Sequence, residues 1–332
     1  MNQIDFNNKS ILITGGAGFI GSSLAFYFQD NYPESNIFIF DIFRSGEKFE
    51  NGNLKSFGHY KNLIDFKGQI ITGDINCFND LNALSDIKFD FIFHHAAISD
   101  TRVYNQELVM RTNVNSFYWF LEKTKRDNSC LVYASSAATY GSLASPQCVG
   151  KEHPENPYGY SKYSMDQIAL RFISRNKGLR IFGLRFFNVY GPREFYKSKT
   201  SSMVIQLGHQ ILSGQSPKLF ENSENIYRDF IYIDDVIKAN ILSAASENSG
   251  IYNVGTGNAR SFKDIVDILQ KELNTDLNIE YINNPYSGYQ NHTQADISLT
   301  QSSLEFFPEI SLEQGIKMYI PYIKKHHNQS ID

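Results

Sequence analysis

The chain has 332 residues, a length that suits one large domain and a smaller lobe. Its 42% hydrophobic and 20% charged content is typical of a globular protein. A formal net charge of −4 makes nucleic acid a poor candidate for a partner. Three cysteines without a CxxC pair predict neither a disulfide framework nor a metal site, and no apolar run approaches the roughly 18 residues of a membrane span. We therefore expect a cytoplasmic protein.

The first half of the chain alternates β-rich runs with amphipathic segments. Buried strands are predicted at Ser10–Thr14, Asn36–Asp41, Gln69–Thr72, Phe89–His94, Cys130–Ser135 and Leu179–Phe187. Helices are predicted between them, near Phe19–Gln29, Phe78–Ser85, Val103–Lys125 and Tyr160–Asn176. Continuously apolar strands separated by helices indicate a parallel sheet covered on both faces. With right-handed crossovers, the predicted fold is an α/β, doubly wound parallel sheet of the Rossmann type.

After Asn188 the pattern changes to turns, charges and one helix near Met203–Ser213. There follow a strand at Phe230–Ile233, a helix from Asp234 or Asp235 to Ala245, and a short strand at Gly250–Val254. We predict a dinucleotide-binding domain that comprises residues 1–188 and 229–254. Residues 189–228 and 255–332 are predicted to form a smaller, mixed α/β lobe that binds the substrate.

A glycine-rich loop, Gly15-Gly16-Ala17-Gly18-Phe19-Ile20-Gly21, follows the first strand and opens the first helix. Its Gly15, Gly18 and Gly21 have GxxGxxG spacing. Glycine allows a tight turn and lets a pyrophosphate approach the backbone. The helix N-terminus then offers free N–H groups to the phosphates. The loop therefore predicts a bound dinucleotide, with Phe19 and Ile20 among its contacts.

Residues near the end of the second predicted strand bear on the choice between NAD and NADP. Asp41 lies twenty residues after Gly21, where an acid can bind the ribose 2′-hydroxyl of NAD. Arg44, Lys48 and Lys61 are close in sequence and could bind the 2′-phosphate of NADP. A solvated surface explains these bases equally well. We take NADP as the expected cofactor and NAD as the alternative.

Two further segments follow predicted strands at the carboxyl edge of the sheet, where doubly wound sheets bind ligands. They are Asp74 and Ile75, which are placed to meet the adenine, and His95, Ala96 and Ala97, which would line the crevice. His94 or His95 could instead be a structural histidine, and we favour that interpretation over a catalytic role.

The candidate catalytic residues lie in two segments. Tyr158 and Lys162 have YxxxK spacing, which puts them on one face of a helix. An ammonium beside a phenol lowers the phenol pKa, so that the tyrosine can act as acid or base near neutrality. Lys162 could also bind the nicotinamide ribose. Ser136 follows the strand Cys130–Ser135 and can hydrogen-bond a reacting hydroxyl, although its surroundings alone would indicate only a serine-rich turn.

These segments occur in the order TGGAGFIG, YASSAATYG, YGYSK and RFFNVYGPRE. In that order the chain resembles the extended short-chain dehydrogenases/reductases, the NAD-dependent epimerase/dehydratase family, over nearly its whole length. The resemblance implies a Rossmann fold and an isomerase of nucleotide sugars that keeps its NADP or NAD tightly bound. It also implies a homo-oligomer.

Further strings resemble those family members that invert C6 of an ADP-heptose for lipopolysaccharide inner-core synthesis. They are FNVYGPRE followed by a lysine, SPKLFENSENIYRDFIY, YNVGTG and YQNHTQAD. The resemblance implies transient oxidation of C6, rotation of the exocyclic ketone, hydride return to the opposite face, and two acid/base groups. These groups carry over to Tyr158 and Lys197. The stretch Ser198–Met203 is longer than the family's spacing, so Lys199 is an alternative to Lys197.

The resemblance also implies ligand contacts. Substrate contacts carry over to Ser136, Asn188, Ser202, Gln206, Phe220, Glu221, Asn222, Ser223, Arg228 and Tyr289. Further cofactor contacts carry over to Ile42, Ser99, Asn113 and Val189, and Lys162 serves the cofactor as well. Arg228 can pair bidentately with the substrate diphosphate. Two positions depart from the family: Gln206 replaces a histidine, and His95–Ala97 replaces a Glu-Gly-Ala form.

Three other functions compete with this one. A UDP-sugar 4-epimerase of the same family would use one tyrosine and need no second base. A 4,6-dehydratase would need an acid pair beside the catalytic serine, where this chain has Ala137-Ala138-Thr139. A non-catalytic dinucleotide sensor tends to lose the tyrosine or lysine of YxxxK, and both are present here.

Overall fold

The computed structural model describes residues 4–284 and 291–329. The strands within them are β1 Ser10–Thr14, β2 Asn36–Asp41, β3 Gln69–Thr72, β4 Phe91–His94, β5 Cys130–Ser136, β6 Arg180–Phe186, β7 Asn188–Tyr190, β8 Lys218–Phe220, β9 Tyr227–Tyr232, β10 Gly250–Val254, β11 Ala259–Ser261 and β12 Glu280–Ile282. The α-helices are α1 Phe19–Asn31, α2 Phe78–Asn82, α3 Gln106–Met110, α4 Ser116–Asp127, α5 Pro157–Arg175, α6 Met203–Leu212, α7 Ile233–Ala245, α8 Phe262–Leu273, α9 Ser298–Leu304 and α10 Leu312–His326.

Seven of the strands form a parallel sheet in the order β10-β6-β5-β4-β1-β2-β3. The predicted doubly wound α/β fold is therefore confirmed, and all six strands predicted in the first half belong to this sheet. Sequential strands run outward in both directions from the neighbours β1 and β4, so the sheet has its switch point there. A ligand crevice is expected at the carboxyl ends of these two strands.

Helix α5 begins earlier than predicted, at Pro157 rather than Tyr160. The Asn156 side chain accepts a hydrogen bond from the Gly159 backbone N–H at 2.8 Å and caps the helix, and proline is favoured in the first turn. This start brings Tyr158 into the first turn. Tyr158 and Lys162 consequently lie on the same buried face of one helix.

The predicted helix Val103–Lys125 is one nearly continuous element with an irregular middle. A single π-helical turn at Arg111–Asn115 separates α3 from α4. Such turns are rare and redirect the side chains that they carry. Here the turn contains the buried Asn113, whose amide lies behind the crevice.

The second lobe contains two small sheets, β11-β9-β7 and β8-β12, with helices α6, α8 and α10 packed on one another. β9 pairs with β7 and β11 and thus belongs to a small sheet. Within residues 229–254, β10 is the strand that belongs to the large sheet, and α7 leads to it. The assignment of residues to two domains stays a prediction.

One hydrophobic core runs from the large sheet into the second lobe. It includes Ile13 of β1, Phe186 of β6, Ile231 of β9 and Leu269 of α8. Because the lobes share this core, side chains from both are held around the crevice in a fixed relation. Within residues 4–284 and 291–329, none of the helices is long and apolar enough to cross a membrane.

Candidate active site

A cleft of about 1020 Å³ lies at the carboxyl ends of the large sheet, between the two lobes. Its lining combines the glycine-rich loop, the residues after β2, β3, β4 and β5, the start of α5, and second-lobe segments around Lys197, Ser202 and Arg228. The position agrees with the switch point of the sheet. Cofactor and substrate could therefore meet in one enclosed volume.

At Gly15 and Gly21 the glycine-rich loop lies so close to neighbouring backbone atoms that a side chain cannot be accommodated. Gly15 has φ +68°, and a Cβ there would lie 2.8 Å from the Ala96 backbone nitrogen. A Cβ on Gly21 would lie 2.3 Å from the Gly15 carbonyl oxygen. Helix α1 begins at Phe19, and no side chain caps it. Its first backbone N–H groups are therefore available to a ligand in the cleft. This cradle fits a dinucleotide pyrophosphate.

Asp41, at the end of β2, is buried and lines the cleft. Its two carboxylate oxygens accept hydrogen bonds from the backbone N–H groups of Phe43 (2.8 Å) and Ala17 (2.9 Å). Burial raises the pKa of Asp41, and these two donors oppose that effect. The carboxylate thus orients the turn after β2 and remains open to one more donor, such as a ribose hydroxyl.

The basic residues near Asp41 are arranged differently from the prediction. Lys48 is exposed and outside the cleft lining, and the Lys61 ammonium lies 5.9 Å from the centres of the Tyr60 and Tyr196 rings, also outside it. Lys55, which the sequence analysis missed, lines the cleft and pairs with Glu47 at 2.8 Å. No local motif marks Lys55, because only the folded loop brings it to the cleft.

Most of the other predicted cofactor contacts line the cleft, namely Ile42, Asp74, Ile75, His95, Ala96, Ala97, Ser99, Lys162 and Val189 together with Gly18, Phe19 and Ile20. Asn113 does not. Its side chain donates to the Ile98 carbonyl (3.0 Å) and to Ser161 (2.9 Å), and accepts from the Ile98 N–H (2.9 Å). With these bonds made, Asn113 anchors the loop after β4 to α5 from behind the cleft.

The two neighbouring histidines have different surroundings. His94 is buried, and its Nδ1 lies 2.8 Å from the Thr14 hydroxyl, which identifies it as a structural histidine. His95 lines the cleft, and burial together with the Lys162 charge lowers its pKa to about 3. His95 is therefore neutral at physiological pH and adds no charge to the cleft.

Ser136, Tyr158 and Lys162 meet in the cleft as predicted. The Lys162 ammonium donates to the Ala134 carbonyl at 2.7 Å and lies 6.0 Å from the centre of the Tyr158 ring. Burial lowers the pKa of Lys162 to about 8. Burial raises the pKa of Tyr158, and the hydrogen bond with Ser136 opposes it. The expected lowering of the phenol pKa by Lys162 is not found: burial is the larger influence on Tyr158, and Ser136 is the group that opposes it.

A buried charge network underlies these residues and was missed from the sequence. Asp166 is one helical turn after Lys162 and accepts from Tyr133 (2.8 Å), Ser135 (3.0 Å) and Arg185 (2.9 Å). Arg185 also pairs with Glu152 at 2.5 Å. The Asp166 charge raises the pKa of Lys162 against the stronger effect of burial. The i, i+4 spacing from Lys162 to Asp166 was the available signal.

Lys197 lines the opposite side of the cleft, in a short 3-10 helix at Phe195–Thr200. Its ammonium lies 5.7 Å from the centre of the Phe19 ring, and burial lowers its pKa. Lys199 is exposed and outside the cleft lining. A lysine base requires a lowered pKa and access to substrate, so this geometry favours Lys197 over Lys199.

The predicted substrate contacts divide into two groups. Asn188, Ser202 and Arg228 line the cleft with Ser136, and the Arg228 guanidinium also donates to the Tyr227 carbonyl at 2.8 Å. The second group lies outside the cleft lining: Gln206, whose amide donates to the Ser201 carbonyl at 2.7 Å, and Phe220, Glu221, Asn222 and Ser223 around the end of β8. Tyr289 lies outside the described residues.

Residues 11–255 match the model of the NAD dependent epimerase/dehydratase family. The chain belongs to this family. A relative from Brachyspira hyodysenteriae, ADP-L-glycero-D-manno-heptose-6-epimerase, is 36% identical over 95% of this chain and 98% of its own length.

Solved structures agree with the family assignment. The ADP-L-glycero-D-manno-heptose-6-epimerase of Helicobacter pylori is 48% identical, with a TM-score of 0.89 over 98% of this chain and 99% of that protein. A UDP-N-acetylglucosamine 4-epimerase from Methanobrevibacter ruminantium is 27% identical, with a TM-score of 0.84 over 96% and 99%. The chain is thus an enzyme of the NAD-dependent epimerase type. Its sequence is more similar to that of the heptose epimerase than to that of the 4-epimerase.

Proposed function

We propose that the chain interconverts ADP-D-glycero- and ADP-L-glycero-D-manno-heptose by inverting C6, for lipopolysaccharide inner-core synthesis. The observation that carries the proposal is that Tyr158 and Lys197 line one cleft from two different lobes. Inversion through a ketone needs an acid/base group for each orientation of the exocyclic carbon, and the two lobes supply one each. The similarity to two heptose epimerases over nearly the whole chain supports the same substrate.

A dinucleotide held by the Gly15–Gly21 loop and Lys162 would supply the hydride transfer at C6. The protein moves the protons. Tyr158 and Lys197 alternately remove and restore the proton of the C6 oxygen, and Ser136 hydrogen-bonds that oxygen beside Tyr158. Arg228 holds the substrate diphosphate by charge-assisted hydrogen bonds, which anchors the ADP part while the C6 group turns.

The cofactor is proposed to be NADP, with NAD as the alternative. The cation Lys55 lines the cleft beside the turn that follows Asp41, and it can reach a 2′-phosphate by leaving Glu47. Asn51 and Asn53 donate to the Asp100 carboxylate at 3.0 and 2.5 Å and tie the segment 47–55, part of which lines the cleft, to the loop after β4. Such a tie supports tight retention, which the return of the hydride requires.

The first test is an assay of the purified protein with ADP-D-glycero-D-manno-heptose, followed by proton NMR. We expect the ADP-L-glycero isomer to accumulate without added cofactor. Turnover of UDP-galactose alone would instead favour the UDP-sugar 4-epimerase, for which the 27% identical relative argues. Absence of turnover with both substrates, in a folded protein that contains the dinucleotide, would favour the non-catalytic sensor.

We also infer a homo-oligomer, by resemblance to the family, and a cytoplasmic location. Sedimentation velocity tests the assembly. A single species at the mass of one chain, 38.0 kDa, would contradict it.

A further inference from the structure

A buried carboxylate in the second lobe has no part in the proton transfers described above. Glu194 is fully buried. One of its oxygens accepts from the Gly191 N–H (3.2 Å) and the Ser202 hydroxyl (2.7 Å), and the other accepts from the Ser202 N–H (2.6 Å). Backbone N–H groups can only donate, so both oxygens must accept. Three donors around the two oxygens favour the ionised carboxylate.

The bonds of Glu194 join the two ends of the segment that carries Lys197. Gly191 precedes that segment and Ser202 follows it. Within it, Arg193 and Ser198 have φ values of +77° and +55°, a region that residues other than glycine rarely occupy. Such a backbone persists only where neighbouring groups hold it. Glu194 provides this restraint through both of its oxygens, and its carbonyl also accepts from the Lys197 N–H at 2.9 Å.

The charges of Glu194 and Lys197 act on each other. Burial lowers the pKa of Lys197, and the negative charge of Glu194 opposes that effect. Burial raises the pKa of Glu194, and the positive charge of Lys197 is the first influence that opposes it. The balance between burial and this carboxylate therefore sets how readily the amine loses its proton.

Most other titratable groups near this segment are neutral over the useful pH range or carry a constant charge. Burial raises the pKa values of the Tyr190 and Tyr319 phenols, and the charge of Glu194 is the next influence in the same direction on Tyr319. Burial lowers the pKa of His209 to about 4 and lowers that of His326. Charged groups beside these are Arg193 and Lys199 of the segment itself, and Arg44 and Lys61 next to Tyr196.

Lys162 lines the same cleft as Lys197. Burial lowers the pKa of Lys162 to about 8, but Asp166 and not Glu194 is the charge that acts on it, so a shift between Glu194 variants reports on Lys197.

We propose that Glu194 is a positioning residue that acts through Lys197. It holds the lysine segment at the cleft, and its negative charge sets the pH at which the amine changes from cation to base. This inference rests on the proposed function, in which Lys197 is the second proton-transfer group.

The sign of the effect follows from the charges. Removing a negative charge near a cation lowers the pKa of the cation. The acidic limb of the kcat/KM profile, where Lys197 loses its proton, should therefore move to lower pH by about one unit or more in Glu194→Gln. The alkaline limb, which belongs to Tyr158, should stay in place. The maximal rate should also fall, because the amide has one acceptor oxygen where the carboxylate has two.

The experiment compares wild type, Glu194→Gln and Glu194→Asp, with the exposed Glu122→Gln as a matched control for loss of one negative charge. The pH profile of ADP-heptose epimerisation is measured for each. Acetylation of the Lys197 amine against pH, followed by peptide mass spectrometry, provides a second readout that does not need turnover. We expect the pH of the acidic limb and the pH at which Lys197 is labelled to be highest in wild type, lower in Glu194→Asp and lowest in Glu194→Gln. Both values in Glu122→Gln should equal those of wild type.

A lower rate at every pH in both Glu194 variants, with limb and labelling pH unchanged, would mean a merely structural role and overturn the inference. If Glu194→Gln does not fold, Glu194→Asp decides alone, because withdrawing the charge by one methylene must shift labelling in the same direction. The two failures are distinguishable: a wild type that does not epimerise ADP-heptose would refute the proposed function, whereas a labelling pH of Lys197 that is the same in wild type and both Glu194 variants would refute this inference.

Discussion

The two lobes hold their candidate proton-transfer groups by different means. Tyr158 and Lys162 lie on a capped helix packed against the large sheet, and the buried Asp166 fixes that helix one turn further on. Lys197 lies in a short segment with strained residues, and the single carboxylate of Glu194 ties its two ends. Regular structure and a network of charges hold Tyr158 and Lys162, whereas one carboxylate, that of Glu194, holds the segment of Lys197.

This difference fits the division of labour in the proposed reaction. The centre on the sheet must keep one constant relation to the dinucleotide, because a hydride leaves and returns there. The centre on the second lobe must only meet the C6 oxygen in its other orientation. Rigid scaffolds suit the first requirement, and a positioned loop satisfies the second.

The largest expected effect is on the sheet side. Tyr158→Phe removes the phenol proton but keeps the ring, so kcat should fall by about 10³-fold, within the range of general acid–base catalysis. The dinucleotide should remain bound, as its absorbance after gel filtration would show. A loss of less than tenfold would transfer the first proton-transfer role to another residue.

The next effect tests the second lobe. Lys197→Ala should lower kcat by about 10²-fold, since it removes one of two proton-transfer groups. Lys199→Ala is the matched control, and it should change kcat by less than about twofold because an exposed lysine far from the reacting atoms contributes little. The opposite result in this pair would move the second base to Lys199.

A third prediction concerns stability rather than rate. Asp166→Asn removes the negative charge whose Oδ2 contacts both Nε and Nη2 of Arg185, and breaking a buried pair of this kind should cost about 3 kcal/mol of the free energy of unfolding. The control Asp267→Asn removes the exposed partner of Lys263 and should cost less than about 0.5 kcal/mol. Urea unfolding of both variants measures the difference. Equal losses of unfolding free energy would show that the buried network does not stabilise the sheet side.

The smallest effect concerns the cofactor choice. Lys55→Ala should weaken NADP binding by about tenfold, which is about 1.4 kcal/mol, and leave NAD binding unchanged. Lys48→Ala should change neither, because its side chain lies outside the cleft. Fluorescence titration of the protein freed of dinucleotide measures both constants. An equal loss for NAD would show that Lys55 does not bind the 2′-phosphate.

Much of the dinucleotide side followed from local sequence. The strand, the Gly15–Gly21 loop and the helix are contiguous, and their glycine spacing predicts a backbone that a phosphate can approach. Tyr158 and Lys162 share a helix, so their spacing predicts a common face. The start of α5 was the error there, because the capping role of Asn156 was overlooked.

Contacts between segments that are distant in the sequence were less predictable. Glu194 meets Ser202 across a loop with left-handed residues, and Asp166 meets Arg185 across 19 positions of the chain. Lys55 lines the cleft, whereas Lys48, seven residues earlier, is exposed and lies outside the lining. These contacts depend on how loops fold over a surface, which neither spacing nor hydrophobic periodicity encodes.

By itself the sequence determined the parallel sheet, the glycine-rich cradle and the pairing of Tyr158 with Lys162. Each of these depends on residues a few positions apart, whose geometry is set by backbone sterics and helix periodicity. Only the tertiary structure distinguishes Lys197, which lines the cleft, from the exposed Lys199, and only it places Lys55 at the cleft and Glu194 beneath the Lys197 segment. These features depend on burial and on charges brought together from distant segments, and both arise only when the two lobes pack on one core.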